Sequence, residues 1–108
     1  MGQIRDIAQQ LYDSGALLGF TITSIEGEMV HNESFFSDEA ASQALATLVG
    51  CIEQLAVSGR EVKRLTVELD DVVVIYSHIK DRDRHGMFIL SRSCNLDQSA
   101  NALAELAA

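Results

Sequence analysis

A chain of 108 residues with 47% apolar side chains is long enough for one real core and too hydrophobic for disorder. Sixteen acidic against eight basic side chains give a net charge of −8, which argues against the basic patches that non-specific nucleic-acid or anionic-membrane binding needs. No apolar run reaches the ~20 residues of a membrane-spanning helix, the start MGQIRDIAQQ lacks the parts of a signal peptide, and Cys51 and Cys94 form no CxxC, so a cytoplasmic chain with reduced thiols and no membrane insertion is expected.

Residues 3 to 14 place Ile4, Ile7, Ala8, Leu11 and Tyr12 at helical spacing, with Gln3, Arg5, Asp6, Gln9, Gln10 and Asp13 on the other side. Ser14-Gly15 ends that helix. A hairpin follows. Leu18, Phe20 and Ile22 alternate with Gly19, Thr21 and Thr23, as in a strand with one buried face. Glu26-Gly27 is the turn, and Met29 to Glu33 returns as a short strand whose His31, Asn32 and Glu33 suit a sheet edge. Phe35 and Phe36 in the following connector either lid the core or present an apolar patch to a partner.

From Ser37 to Ser58 the chain reads as one long helix, capped by Ser37, started by Asp38 and Glu39 and stopped by Gly59. At 1.5 Å per residue it is roughly 30 Å long. Ala41, Leu45, Leu48, Ile52, Leu55 and Ala56 form an oily stripe that should lie on the core. Beside it Ala40, Ala44, Thr47 and Cys51 form a stripe of small side chains. Either both stripes are one wide core face, or the small one meets the same helix of a second copy. A two-fold interface uses one patch twice, so a single stripe suffices.

Three strands come next. Leu65, Val67 and Leu69 alternate with Arg64, Thr66 and Glu68, and Asp70-Asp71 makes a turn. Val72 to Ile79 is almost wholly apolar, as a central strand should be. Lys80 to Gly86, KDRDRHG, reads as a charged loop, and Met87 to Arg92 as the last strand. Asn95 and Gln98 resemble a capping box opening a short helix with Leu96, Ala100, Leu103 and Ala107 inward. The sum is an α+β domain over residues 1–108, α-β-β-α-β-β-β-α, with a five-stranded antiparallel sheet and the long helix packed on it.

Little in this order carries chemistry. His31, His78 and His85 lie in no HExxH, and no GxSxG, GxxxxGK[ST] or GxGxxG occurs. His78 reads as a satisfied core or edge histidine, His85 as a solvated loop residue, and Asp70-Asp71 as turn formers. Cys51 reads as packing. The alternating charges of 80–85 read as a solvated hairpin tip or as a contact with a protein partner. No catalytic residue, metal or cofactor is expected.

The element order resembles that of the Roadblock/LC7 family, over nearly the whole chain. The matching features are Gly15-Ala16-Leu17-Leu18-Gly19-Phe20-Thr21-Ile22, the Glu26-Gly27 turn (more often Asp-Gly or Asn-Gly in the family), the alanine-rich long helix, Val72-Val73-Val74-Ile75, and Asn95-Leu96 before the last helix. The resemblance implies a homodimer in which long helices pack together and third strands pair. It thereby points to Ala40, Ala44, Thr47, Cys51, Arg64, Leu65, Thr66 and Val67 as the interface, with 62–68 a sheet edge in the monomer. It also implies a non-catalytic regulator or scaffold of a small Ras-like GTPase. The charged tip offers Arg82 and Arg84 as partner contacts, and against a GTPase either could in principle act as an arginine finger. The alternatives are a dynein-light-chain-like structural adaptor without nucleotide dependence, and a PAS- or profilin-like small-ligand sensor.

Overall fold

In the computed structural model, which describes residues 2–62 and 64–107, the chain runs α1 (Gly2–Asp13), β1 (Leu17–Ser24), β2 (Met29–Glu33), α2 (Asp38–Ala56), β3 (Leu65–Glu68), β4 (Val72–Ile79), β5 (Arg84–Ser91) and α3 (Leu96–Ala104), ending in a 3-10 turn at Glu105–Ala107. The strands form one five-stranded sheet in the order β2-β1-β5-β4-β3, with every neighbouring pair antiparallel. Both edges, β2 and β3, are the short and partly polar strands.

Helices cover both faces of the sheet, which is why β4 and β5 are apolar on alternate and intervening positions alike. On one face Phe20 and Ile22 of β1, Val73, Ile75 and Ile79 of β4, and Phe88 and Leu90 of β5 pack against Ile4, Ile7 and Leu11 of α1 and Leu103 of α3. On the other face Val72, Val74, Met87 and Ile89 pack against Ala41 and Leu45 of α2. The expected caps form: the Ser37 side chain accepts from the Ala40 N–H at 3.2 Å, and Asn95 Oδ1 accepts from the Gln98 N–H at 3.1 Å.

Several expectations change in detail, and Leu96, expected inward, is exposed. In β1 the alternation slips. A bulge between Leu17 and Gly19 against β5 puts Leu17 with Phe20 and Ile22 in the core and leaves Leu18 49% exposed. The second face of β1 is not open either, because Thr21 and Thr23 are buried. Gly19 is where β2 comes closest: a Cβ there would sit 2.6 Å from the Glu33 carbonyl oxygen.

The oily stripe of α2 is buried only in its first half. Ala41 and Leu45 are buried and Leu48 and Ile52 half-buried, whereas Leu55 is 56% exposed and Ala56 is exposed. The last turns run past the part of the sheet that α2 covers.

β5 begins at Arg84, not Met87, and ends at Ser91. Arg82 and Asp83 take positive φ angles of 61° and 52°, and the Asp83 N–H donates to the Lys80 carbonyl. That closes the hairpin in four residues, so Arg84, His85 and Gly86 pair with Ile79, His78 and Ser77 instead of forming a loop. β3 begins at Leu65, so Arg64 precedes the strand; residue 63 of the expected 62–68 edge lies outside the described residues, as does the side chain of Ala107, which was expected inward.

Candidate interaction surface

The α2 face of the sheet narrows to an apolar groove at the β3 edge. Its volume is about 230 Å³, and Phe36, Ala44, Thr47, Leu48, Val67 and Leu69 line its walls above Val74 and Met87. The small stripe of α2 faces outward. Ala40, Thr47 and Cys51 are exposed and Ala44 is half-buried against the core below. The Thr47 hydroxyl is satisfied within the helix by the Gln43 carbonyl at 3.0 Å. Apolar exposure continues past the end of α2, where Val57 is 85% exposed.

The residues singled out from sequence therefore divide. Ala44, Thr47 and Val67 meet in this groove, while Ala40 and Cys51 flank it on the exposed side of α2. Arg64 and Leu65 line a neighbouring cavity of about 460 Å³, between Ile52 of α2, Tyr76 and His78 at the β4 edge, and Leu103 of α3. Thr66 is exposed beside them on β3. Arg82 sits at the exposed tip of the β4–β5 turn, and Arg84 is a half-buried residue of β5 opposite Ile79. The structure thus brings the α2 and β3 residues onto one surface and places the two arginines apart from that groove.

A polar cluster at the turn end of the β4–β5 hairpin was not expected. The Tyr76 hydroxyl lies 2.7 Å from His85 Nδ1, and His78 Nε2 lies 2.6 Å from Asp83 Oδ1. Burial pushes the Tyr76 phenol up to about 12, with Asp83 adding to the effect, so the hydroxyl keeps its proton. Burial, then the nearby His78, hold His85 below the usual histidine value, with Asp83 and Glu53 pulling the other way. One bond across the strands and one from β4 to the turn stiffen the hairpin that carries Arg82. The missed signal was the alternation of His85, Met87 and Ile89, which carries the strand back through the apparent loop.

His85 sets a pH dependence. Its lowered value means that the unfolded chain takes up a proton that the folded chain refuses, once pH falls below about 6.5. The stabilisation is fully present above that value and is lost as pH falls toward the folded value. The native protein is therefore expected to lose stability between about pH 7 and about pH 5, and His85→Gln to lose less. Urea midpoints at both pH values check this, and parallel losses in the two proteins would assign the slope to other groups.

Among the described residues no group of His, Cys, Asp and Glu could hold a metal ion, and no helix is long and apolar enough to cross a membrane. No protein-family model and no curated protein matches the sequence. Solved structures do match the fold. A Roadblock/LC7 domain from Streptomyces avermitilis is similar at a TM-score of 0.64 and 15% identity, over 96% of this chain and 94% of that one. MglB of Myxococcus xanthus is similar at 0.70 and 10% identity, over 98% and 88%. MglC of the same organism is similar at 0.55 and 16% identity, over 97% and 93%. The chain has the Roadblock/LC7 fold.

Proposed function

We propose that residues 1–108 form one domain that works in the cytoplasm as a homodimeric, non-catalytic regulator or scaffold of a small Ras-like GTPase. The observation that carries the dimer is the groove between α2 and β3. It is apolar, it adjoins the outward small stripe of Ala40, Ala44, Thr47 and Cys51, and it opens beside an edge strand. A second copy docked by the same patch would fill both grooves at once. The GTPase follows from the Roadblock/LC7 resemblance. The protein would act by population shift, binding one nucleotide state of its partner more tightly or ordering that partner's catalytic residues. With a net charge of −8, nucleic acid is not a partner in this reading.

The test is capture from lysate of the source organism with tagged protein, one half loaded with a non-hydrolysable GTP analogue and the other with GDP. A small GTPase enriched only in the first half is the expected result. The same partners in both halves, or none that bind nucleotide, would leave a structural adaptor in its place.

A further inference from the structure

We propose that β2 is a docking edge, which takes a short extended segment of a basic protein partner as a sixth strand, with a lysine or arginine of that segment reaching Glu33.

The charge of the chain is unevenly spread. Seven of its eight basic side chains fall at residues 60–92, and Arg5 is the other. β2 and both of its connections therefore carry acids alone: Glu26, Glu28, Glu33, Asp38 and Glu39, all exposed. Exposed apolar side chains lie among them, Ile25, Val30 and Phe35.

The backbone of this edge is open to another strand. β2 ends the sheet on the side away from β3. The Ser24 N–H donates to the Glu28 carbonyl at 2.9 Å, so Ser24, Ile22 and Phe20 direct their main-chain groups to β2. His31 and Glu33 stand opposite the latter two, and Asn32 between them directs its N–H and C=O outward. Edge strands commonly block addition with lysine or proline, and β2 has neither. A bulge at Val30 interrupts the regular pairing, which keeps a docked segment short.

The side chains define what fits. On the α1 face, α1 and β2 enclose a groove of about 330 Å³, with Ile4, Ala8 and Phe20 as its apolar floor and Tyr12, His31 and Glu33 as its walls. An added strand points every second side chain toward such a groove. The Glu33 carboxylate is held ready for a cation. The Tyr12 hydroxyl donates to Oε2 at 2.7 Å, and burial, then Glu33 itself, push that phenol up, so it stays a donor. Oε1 lies 3.6 Å from His31 Nε2 and, among the described residues, accepts no hydrogen bond. Arg5 also lines the groove, but two turns of α1 before Tyr12, roughly 10 Å along the helix.

Charge then selects the occupant. β2 of a second copy would set acids against acids, and nucleic acid or anionic lipid would be repelled likewise, whereas a basic segment is attracted. Three strands separate this edge from β3, so the site is distinct from the groove assigned to the dimer, and neither reading depends on the other.

The probe is a short blocked peptide that alternates lysine and valine. Its controls are the same peptide N-methylated at its central amides, which cannot donate to a strand, and one that alternates glutamate and valine. Fluorescence anisotropy is expected to show saturable binding of the first peptide alone. In amide NMR spectra the Asn32 N–H is expected to shift and to exchange more slowly with solvent, while Thr66 at the opposite edge stays unchanged. Glu33→Gln keeps an acceptor for Tyr12 and removes the charge, and it is expected to weaken binding about fivefold, whereas Glu68→Gln on β3 leaves it unaltered. Both positions are exposed, so circular dichroism should report native folding in each variant. Equal binding of the methylated peptide would show that charge alone attracts it and would overturn strand addition. Shifts at Thr66 in place of Asn32, equal losses in the two variants, or no binding of the lysine peptide would each overturn the site.

Discussion

Replacing Ala44 with arginine is expected to turn the dimer into a monomer. Ala44 stands in the middle of the small stripe and lines the groove with Phe36, Leu48 and Val67. In a two-fold interface the change occurs twice, and each guanidinium would have to lose water without an acid to meet it. Removing or adding one unmatched buried charge costs about 3–5 kcal/mol, so a loss of at least a hundredfold in dimer affinity is expected. The monomer itself should tolerate the change, because a long basic side chain at a half-buried helix position can reach water. Sedimentation of the native and variant chains at equal concentration decides the matter. An unchanged mass would place the interface elsewhere. An unfolded variant, seen by circular dichroism, would show that Ala44 serves the core instead.

Phe88→Ala is expected to bring the chain close to unfolding. Phe88 is fully buried at the middle of β5, stacked on Phe20 with centroids 5.8 Å apart and planes 14° apart. Truncating a buried phenylalanine costs about 3–5 kcal/mol, a large share of the roughly 5–15 kcal/mol that holds a typical domain together. Phe35→Ala removes the same atoms from a ring that is 62% exposed, and it should change stability by less than about 0.5 kcal/mol. Urea unfolding at one fixed protein concentration compares the two, since dimerisation adds to apparent stability. Equal shifts in midpoint would mean that the core on the α1 side tolerates rearrangement.

What could be read before folding follows physical range. Signals contained within one element were legible: the helical spacing of Ile4, Ile7, Ala8 and Leu11, the caps at Ser37 and Asn95, and the apolar run of β4. Signals that depend on a neighbour were not. Leu18 lies outside the core because β5 opposes a bulge at that point, a fact held in the pairing of two distant strands. The charges of Arg84 and His85 suggested a loop, yet two left-handed residues before them tighten the turn and return them to the sheet. The exposure of Leu55 reflects how far α2 outruns its support, which periodicity does not encode. The same limit applies to the interaction surface. The small stripe was legible on the helix and the alternation on β3. That Ala44, Thr47 and Val67 line a single groove depends on how α2 crosses the sheet.

The position of β5 also bears on when the protein can fold as it is synthesised. β5 is the last strand made, yet it lies at the centre of the sheet, between β1 and β4. A growing chain can close the β1–β2 hairpin and the β3–β4 hairpin locally, but no strand joins them until residues 84–91 have emerged. Until then the apolar faces of both hairpins, Phe20 and Ile22 on one and Val73 and Ile75 on the other, have no strand between them to complete either core. Such nascent chains expose strand edges and are the species most open to aggregation or to a chaperone's grip. Assembly of the sheet thus waits until residues 84–91 have been made, and a ribosome stalled before β5 would hold two hairpins with no strand between them.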